Sequence, residues 1–364
     1  MRAARREGVR VVVVEDSLVQ RAHLVGVLEA DGDIVVVGQA ANALEAIEMV
    51  AELRPHVVTM DLQIPAGGGQ YALEQIMANT PTPVLVLSAT VENDASAPAV
   101  EALVGGALVA LPKPTRWTPT LEIELRRTVR TIRRVPVVRH IRGRHRPLPP
   151  APASSLTRTP PVANPGGTVR PRHTSSGVVA IAASTGGPPA LATVLSGLHG
   201  LSCPVVVVQH IHADFVPGLV SWMARISPLA VVLARHGSQL RDGHVHIAPG
   251  GTHLLVGPDR TILLVERPLT VHRPSANQMF ESVAVQAGAN GIGVVLTGMG
   301  DDGATGLAAM HRNGAYTVVQ DRESSAVYGM PKAANMLGGA TEELPLNEIA
   351  KAILRAAASR RGRT

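Results

Sequence analysis

The chain has 364 residues, a formal net charge of +6, one cysteine and only 2% aromatic residues. This length predicts two domains, and a single cysteine excludes an intrachain disulfide and favours a cytoplasmic location. No stretch approaches the about 20 apolar residues of a membrane span, and the apolar run Val11–Val14 is too short for the core of a signal peptide. We therefore expect a protein that is not inserted into a membrane.

Apolar runs alternate with helical patterns in the first third of the chain. The predicted strands are Val9–Val14, Ile34–Val37, Val57–Met60, Val84–Leu87 and Ala107–Leu111. The predicted helices between them are Leu18–Leu28, Ala43–Leu53, Leu73–Met77 and Ala99–Leu103. Such alternation predicts a doubly wound parallel sheet, in which a functional site lies at the carboxyl ends of the strands.

Polar side chains fall at those strand ends: Glu15, Asp16, Asp61, Ser88 and Lys113. Clustered carboxylates suit Mg²⁺, which would neutralise a phosphoryl group arriving on Asp61. Lys113 can pair with the phosphate, and the Ser88 hydroxyl can move toward it. Taken singly, each residue is equally compatible with capping a helix, but together they favour a phosphoryl site.

Residues 5–135 resemble a response-regulator receiver domain, because the acid pair, Asp61, Ser88 and Lys113-Pro114 each stand at the expected position. The resemblance implies a flavodoxin-like fold, Asp61 as the phosphorylation site, and Mg²⁺ held by Glu15, Asp16 and Asp61. It also implies that Ser88 and Lys113 are the switch residues.

Two features depart from the receiver pattern. Gly67–Gly69 follow the phosphorylation site where the family usually has Met-Asp-Gly, which should loosen that loop. Ala110 stands where an aromatic residue is usual, three positions before the lysine. The aromatic part of the usual switch is therefore missing.

A linker is predicted between the two halves of the chain. Thr120–Val135 has helical periodicity and closes the first domain, whereas residues 136–175 are rich in Pro, Arg, Ser, Thr and Gly without periodicity. This composition predicts a flexible tether. A nucleic-acid-binding arm is the alternative, but the segment lacks interleaved aromatic residues and a recognition helix, so we expect no nucleic-acid partner.

The second half is organised around the stretch Gly177–Pro189. A buried strand is predicted first, then a tight turn of small residues, then a helix that begins with prolines. Ser184 therefore lies at the carboxyl end of a strand and beside a helix N-terminus, where an oxyanion is favoured. The alternatives are a phosphate-binding turn or a purely structural turn, although Pro188 and Pro189 lack the N–H donors that a phosphate loop needs.

Further elements follow this turn. The predicted strands are Pro204–Val208, Val231–Leu233, Val245–Ala248, His253–Val256, Thr261–Leu264, Gly293–Leu296 and Val318–Gln320. The predicted helices are Ala190–Leu198, Phe280–Ala287 and Leu346–Ala358. The last pairs of the short strands before residue 265 resemble antiparallel hairpins. Thr297–Gly303 is predicted to be a second Gly-rich strand-to-helix turn.

Three reactive groups therefore fall at three strand ends: Ser184, His210 and a carboxylate of the Met299–Gly303 turn. A serine needs a base, and an acid can orient the imidazole of that base and stabilise its cation. A metal-dependent hydrolase is the rival interpretation. It rests on His210 and His212 with Asp214, and on His244 and His246, because alternate positions of a strand share one face.

Residues 176–358 resemble the catalytic domain of the chemotaxis protein-glutamate methylesterases, the CheB family. The matching stretches are Ala183–Gly187, Gln209-His210, Ile247–His253, His272–Ser275, Thr297–Ala304, Gln320–Ser325 and Tyr328–Pro331. The resemblance implies a catalytic triad of Ser184, His210 and Asp302, with Thr185 and the Met299 backbone N–H as oxyanion-stabilising groups. It also implies a Rossmann-like fold, so that two α/β domains are joined by the flexible linker.

The two resemblances together imply a phosphorylation-regulated serine hydrolase that demethylates glutamate methyl esters, and deamidates glutamines, on methyl-accepting chemoreceptors. The implied partners are those chemoreceptors as substrates and a chemotaxis histidine kinase as phosphodonor, and the esterase reaction is expected to need no cofactor. The alternatives are a phosphorylation-dependent receptor-binding scaffold without turnover, a metal-dependent hydrolase, and a DNA-binding output.

Overall fold

The structure is a computed structural model that describes residues 8–89, 96–114, 116–135, 137 and 177–361. The predicted linker of residues 136–175 lies outside the described residues except for Val137. Residues 5–7 of the first predicted domain and Ser176 of the second also lie outside them. Among the described helices, none is both long enough and apolar enough to cross a membrane.

The first domain is a five-stranded parallel sheet with helices on both faces. Its strands are β1 (Val9–Val14), β2 (Ile34–Ala40), β3 (Val57–Asp61), β4 (Val84–Ala89) and β5 (Val109–Lys113). Its helices are α1 (Leu18–Glu29), α2 (Ala43–Leu53), α3 (Gly68–Asn79), α4 (Ser96–Val104) and α5 (Pro119–Ile132). The order β2-β1-β3-β4-β5 confirms the predicted flavodoxin-like sheet. Parallel pairing with β4 extends β5 through Lys113, two residues beyond the predicted end.

The second domain is a seven-stranded parallel sheet with a separate hairpin. Its strands are β6 (Val179–Ala183), β7 (Val205–Gln209), β8 (Ala230–Leu233), β9 (His244–Ile247), β10 (His253–Val256), β11 (Ile262–Val265), β12 (Ile292–Val295), β13 (Tyr316–Gln320) and β14 (Glu342–Leu344). Its helices are α6 (Gly187–Ser196), α7 (Val216–Ile226), α8 (Ala276–Ala287), α9 (Ala304–Arg312), α10 (Met330–Met336) and α11 (Leu346–Arg361). The order is β14-β13-β12-β6-β7-β9-β8. Among the described strands, only β10 and β11 form an antiparallel hairpin, whereas β8 and β9 join the parallel sheet.

Side-chain alternation along the strands builds a core on each face of this sheet. In β6, Val179 and Ile181 belong to the core that also contains the buried side chains of α6 and α7, whereas Ala180 and Ala182 belong to the core under α8. Both sets are fully buried, as a parallel sheet covered on both faces requires. The sheet therefore separates two hydrophobic layers.

The two domains are in contact through the α4 side of the first. Helix α4 packs against α6 and α7, and one hydrophobic cluster runs from α4 into the second domain. A cavity of about 30 Å³ is lined by Leu111 and Trp117 of the first domain and by His212 of the second. Met299 and Val327 of the second domain also pack against the first domain's other core. The first domain thus lies directly beside the Gly-rich turn that carries Met299.

Candidate active site

The predicted catalytic residues follow three neighbouring strands. Ser184 follows β6, His210 follows β7 and Asp302 lies in the turn after β12, and these strands are adjacent in the order β12-β6-β7. The chain leaves β6 for β7 on one side, and β12 lies on the other side. This is the topological switch point, where a crevice opens outside the carboxyl ends of the strands.

The turn that holds Ser184 is fixed by backbone contacts. The Ser184 N–H donates to the Thr297 carbonyl oxygen at 3.0 Å, and the Gly187 N–H donates to the Ser184 carbonyl oxygen at 2.8 Å. Gly186 has a φ of +73°, which favours glycine. A Cβ on Gly298 would lie 2.8 Å from the Ser184 Cβ, so only glycine lets the two Gly-rich turns approach this closely.

Gln209 joins the strand ends of the serine and the histidine. Its buried side-chain amide donates to the carbonyl oxygens of Ser184 at 2.8 Å and of His210 at 3.0 Å. It therefore fixes the separation of those two backbones. The sequence contained Gln209 within a matching stretch but gave it no role, because an amide that bonds to backbone leaves no pattern of its own.

Asp302 is held as an anion that orients His210. Its Oδ2 lies 2.9 Å from His210 Nε2, and it accepts hydrogen bonds from the Ser275 hydroxyl at 2.8 Å and from the Ala276 and Asn277 N–H groups at 2.7 and 3.0 Å. Burial alone would raise the pKa of Asp302, but the His210 contact and the two N–H groups at the start of α8 lower it to about 2. The carboxylate thus stays charged at neutral pH.

Nδ1, the second ring nitrogen of His210, is not bound in this way. His210 Nδ1 is buried and has no hydrogen-bond partner among the described residues. The Ser184 hydroxyl, on a half-buried residue, likewise makes no hydrogen bond within the described part of the chain. A buried, unpaired ring nitrogen is costly unless it serves a reacting group. Nδ1 is therefore the ring nitrogen of His210 that Asp302 leaves without a hydrogen bond.

Two backbone N–H groups lie beside the serine without acceptors. Thr185 follows Ser184 directly, and Met299 follows Gly298, which packs on Ser184. Neither N–H has an acceptor among the described residues. Free N–H donors at such a position can stabilise the oxyanion of a tetrahedral intermediate.

The imidazole of His272 covers one face of His210. The ring centroids are 4.3 Å apart and the planes differ by 9°. Burial of part of the ring, the nearby His210 and the Arg127 charge lower the pKa of His272. The neutral form of the His272 ring is therefore favoured. The sequence assigned His272 to a matching stretch without a function, since its stacking depends on a loop conformation.

The predicted phosphorylation site is assembled in the first domain. Lys113 Nζ lies 2.5 Å from Asp61 Oδ2 and 2.6 Å from Glu15 Oε2. Burial raises the pKa of Glu15, against the effect of Lys113, and the Asp61 charge raises it further. Burial alone would lower the pKa of Lys113, but its bonds to Asp61 and Glu15 raise it. Ser88 is buried in β4, next to β3 in the sheet.

The carboxylates of this site fit a magnesium ion. Glu15, Asp16 and Asp61 each offer an oxygen, and these atoms lie within 4.8 Å of one another. Oxygen ligands at this spacing suit Mg²⁺. Asp16 is exposed and Asp61 is buried, so the group opens to solvent on one side.

The histidines of the rival metal interpretation have other partners. His210 contacts Asp302, and exposed His212 pairs with Asp214 at 3.3 Å. His246 accepts a hydrogen bond from the Arg241 N–H, and burial lowers its pKa to about 4. Within the described ranges, none of these histidines belongs to a group of three potential metal ligands.

Comparisons with known proteins agree with this arrangement. Residues 179–353 match the family model of the CheB methylesterase, and residues 11–121 match that of the response regulator receiver domain. The chain is 40% identical over 349 residues to a protein-glutamate methylesterase/protein-glutamine glutaminase of Geobacter metallireducens, covering 95% of this chain and 98% of that protein. A protein of the same name from Anaeromyxobacter dehalogenans is 42% identical over 346 residues, covering 94% and 97%.

A solved structure, the Thermotoga maritima CheB methylesterase catalytic domain, aligns with 50% of this chain and 98% of its own at 31% identity, with a TM-score of 0.48. The two relatives match nearly end to end. The chain therefore belongs to the CheB methylesterase family, the protein-glutamate methylesterase/protein-glutamine glutaminases, with a response regulator receiver domain ahead of the catalytic domain.

Proposed function

We propose that the chain is a phosphorylation-regulated serine hydrolase that removes methyl groups from γ-glutamyl methyl esters, and ammonia from glutamine side chains, of methyl-accepting chemoreceptors. One observation carries the proposal. Asp302 holds His210 through Nε2 and leaves the buried Nδ1 unpaired, beside the strand end that carries Ser184. This arrangement supports Ser184 as the nucleophile, His210 as the base and Asp302 as the orienting acid.

In the proposed reaction, His210 Nδ1 takes the Ser184 proton as Oγ attacks the ester carbonyl carbon. The N–H groups of Thr185 and Met299 stabilise the oxyanion, and the Asp302 carboxylate stabilises the imidazolium. Collapse of the intermediate breaks the C–O bond, and His210 returns the proton to the departing methoxide, which leaves as methanol. His210 then activates water, which hydrolyses the acyl-serine to the free glutamate.

The same site supports deamidation. A glutamine side chain has the same acyl carbon with ammonia as its leaving group, and His210 supplies the proton that the departing amine needs. Both reactions give the same acyl-serine and the same glutamate product. In this proposal, the named residues carry out both reactions without a metal ion.

Regulation is proposed to pass through Asp61. Phosphorylation of Asp61 by a chemotaxis histidine kinase would add charge beside Lys113, and Glu15, Asp16 and Asp61 would hold the Mg²⁺ that neutralises the phosphoryl group. Because α4 packs against α6 and α7, a change in the receiver alters the cover over the catalytic domain. Ala110, small and buried where an aromatic is usual, leaves Ser88 and Lys113 to carry the switch.

The proposed location is the cytoplasm. The single cysteine, Cys203, is buried and allows no intrachain disulfide, as is typical of proteins in a reducing compartment. A scaffold without turnover is disfavoured, because Asp302 contacts His210 and leaves its Nδ1 unpaired beside the strand end that carries Ser184.

The test is methanol release from a methylated chemoreceptor fragment by the full chain, with and without a chelator. Ser184→Ala should lower the rate by at least about 10⁴-fold. The control is Ser196→Ala, an exposed serine in α6, which should behave as the wild type. Chelator-resistant release that depends on Ser184 supports the proposal, whereas near-normal turnover by Ser184→Ala would overturn it.

A further inference from the structure

A loop beside the active site presents apolar side chains to solvent. Residues 266–273, here termed the arch, connect β11 to the segment before α8, and all eight are exposed. Leu269 is 74% exposed and Val271 is 83% exposed. They lie two positions apart, so these two side chains form a compact apolar tip on the arch.

Hydrogen bonds to His253 and Gly251 hold the arch in place. His253 is fully buried, its Nε2–H donates to the Pro268 carbonyl oxygen at 2.8 Å, and its Nδ1 accepts from the Ser275 N–H at 3.1 Å. The Gly251 N–H also donates to the Arg273 carbonyl oxygen at 3.1 Å. One buried imidazole thus ties both ends of the loop, so its apolar tip is ordered before any partner arrives, which reduces the entropic cost of binding.

The arch adjoins the catalytic histidine. Its residue His272 stacks on His210, with ring centroids 4.3 Å apart. Consecutive Cα atoms are about 3.8 Å apart, so the Leu269 Cα lies at most about 11 Å from that of His272. A protein segment whose modified side chain enters the site therefore comes within reach of the arch.

The arch also carries charged side chains around its apolar tip. Arg267 and Arg273 stand on either side of the apolar tip and are exposed, and neither forms an ion pair within the described part of the chain. Glu266 is the single acidic residue of the arch. Two unpaired guanidinium groups flanking apolar side chains complement an acidic surface with an apolar strip.

We propose that the arch is the docking surface for the modified segment of the chemoreceptor, an acidic amphipathic segment whose apolar face covers Leu269 and Val271. This inference rests on the proposed function. Each demethylation or deamidation leaves a carboxylate, so a segment with several modification sites becomes more acidic as it is processed. Arg267 and Arg273 then pair with those carboxylates, and the enzyme binds partly processed segments more tightly than fully methylated ones.

The first experiment measures binding directly, by calorimetric titration of a chemoreceptor cytoplasmic fragment into the full chain. For the double variant L269S/V271S, the Kd should rise about 10–100-fold, because central apolar contacts dominate such interfaces. The control Val285→Ser, at a site 78% exposed on α8, should keep the wild-type Kd. A Kd for the double variant within twofold of wild type would overturn the proposal.

The second experiment tests the charges and the alternative of a lipid partner. Arg267→Gln should weaken binding of a Glu-rich fragment more than that of the same fragment with Gln at those sites. Equal effects would contradict the assigned ion pairs. Cosedimentation with phosphatidylglycerol vesicles that depends on Leu269 and Val271, without any receptor, would instead make the arch a lipid-binding surface and overturn the proposal.

Hydrolysis separates this inference from the proposed function. With the receptor fragment, the double variant should show a raised KM and a kcat close to wild type. Absence of methanol release by the wild-type chain would refute the esterase, while the binding titration would still decide the role of the arch.

Discussion

The imidazole of His210 and the carboxylate of Asp302 are joined at 2.9 Å through Nε2 and Oδ2, and their side chains are only 8% and 9% exposed. This contact leaves Nδ1 without a hydrogen-bond partner among the described residues. It also ties the base to the N-terminal end of α8, because the same carboxylate accepts the Ala276 and Asn277 N–H groups. The orientation of the His210 ring is therefore coupled to the start of α8.

Asp302→Asn should lower kcat for methanol release by about 10³–10⁴-fold, because a neutral amide neither fixes the productive tautomer nor stabilises the imidazolium. The receptor KM should change little, since Asp302 is buried and is not one of the exposed residues of the arch. Steady-state kinetics on a methylated fragment provide the measurement. A loss of less than tenfold would show that Asp302 is not the orienting acid.

The ionisation of Asp302 should appear in acid unfolding. Its folded pKa of about 2 is below the about 3.9 of an unfolded aspartate, so its contribution to the free energy of unfolding is complete above pH ~4 and is lost as the pH falls toward 2. Between pH 5 and pH 3, the difference in unfolding free energy between wild type and Asp302→Asn should shrink by about 1 kcal/mol. Urea unfolding at the two pH values tests this, and a constant difference would contradict the lowered pKa.

Sequence patterns predicted the strands well where burial is two-sided. The continuous apolar runs of β1, β3 and β7 predicted strands at these places, because a parallel sheet covered on both faces needs apolar side chains at every position. Strand β14 was missed, since Glu342-Glu343-Leu344 at the sheet edge has no apolar run. Helix α7 was also missed, because a proline and a glycine near its start resemble a loop.

The candidate site was likewise predicted only in part from the sequence. The strand ends placed Ser184, His210 and Asp61 at sheet edges, because residues that follow parallel strands converge in space. The stacking of His272 on His210 and the bond of Ser275 to Asp302 depend on the path of a loop. No periodicity encodes such a path, so these contacts required the structure.

His253→Ala should destabilise the protein. The substitution leaves the Pro268 carbonyl and the Ser275 N–H without their buried partner, and it opens a cavity, so the free energy of unfolding should fall by about 2–5 kcal/mol. His244→Ala is the control, because that half-buried side chain makes a local hydrogen-bond contact with the neighbouring Asp242 carbonyl and a ring contact with His246, and neither reaches the arch. Equal effects of the two variants in urea unfolding would show that His253 does not anchor the arch.

Trp117→Ala should raise methanol release in the absence of a phosphodonor by about 5-fold or more. The substitution enlarges the cavity that Trp117 and His212 line between the two domains, and this weakens the contact between the receiver and the catalytic domain. The phosphodonor-stimulated rate should stay near that of wild type. Tyr71→Ala, an exposed aromatic on α3, is the matched control. An unchanged basal rate in Trp117→Ala would mean that this contact does not restrain the enzyme.

A small-molecule phosphodonor with Mg²⁺ should stimulate the wild-type chain by about 5–150-fold, the range of a typical coupling free energy. Asp61→Asn should abolish the stimulation, because the amide cannot accept the phosphoryl group that Lys113 is placed to neutralise. Initial rates with and without the donor give the comparison. Stimulation that persists in Asp61→Asn would place the regulatory event elsewhere.

The seven-stranded sheet has a kinetic consequence. The receiver's α4 packs on the face of the sheet that carries α6 and α7, whereas the arch leads from β11 into α8, which packs on the opposite face. With docking assigned to the arch, the dwell time on a receptor depends on a loop outside the contact of α4 with α6 and α7, although the charge of the receiver's Arg127 also acts on His272 of the arch. A chain waiting for its phosphoryl group then remains on its substrate, so that the response to a signal begins without a search by diffusion.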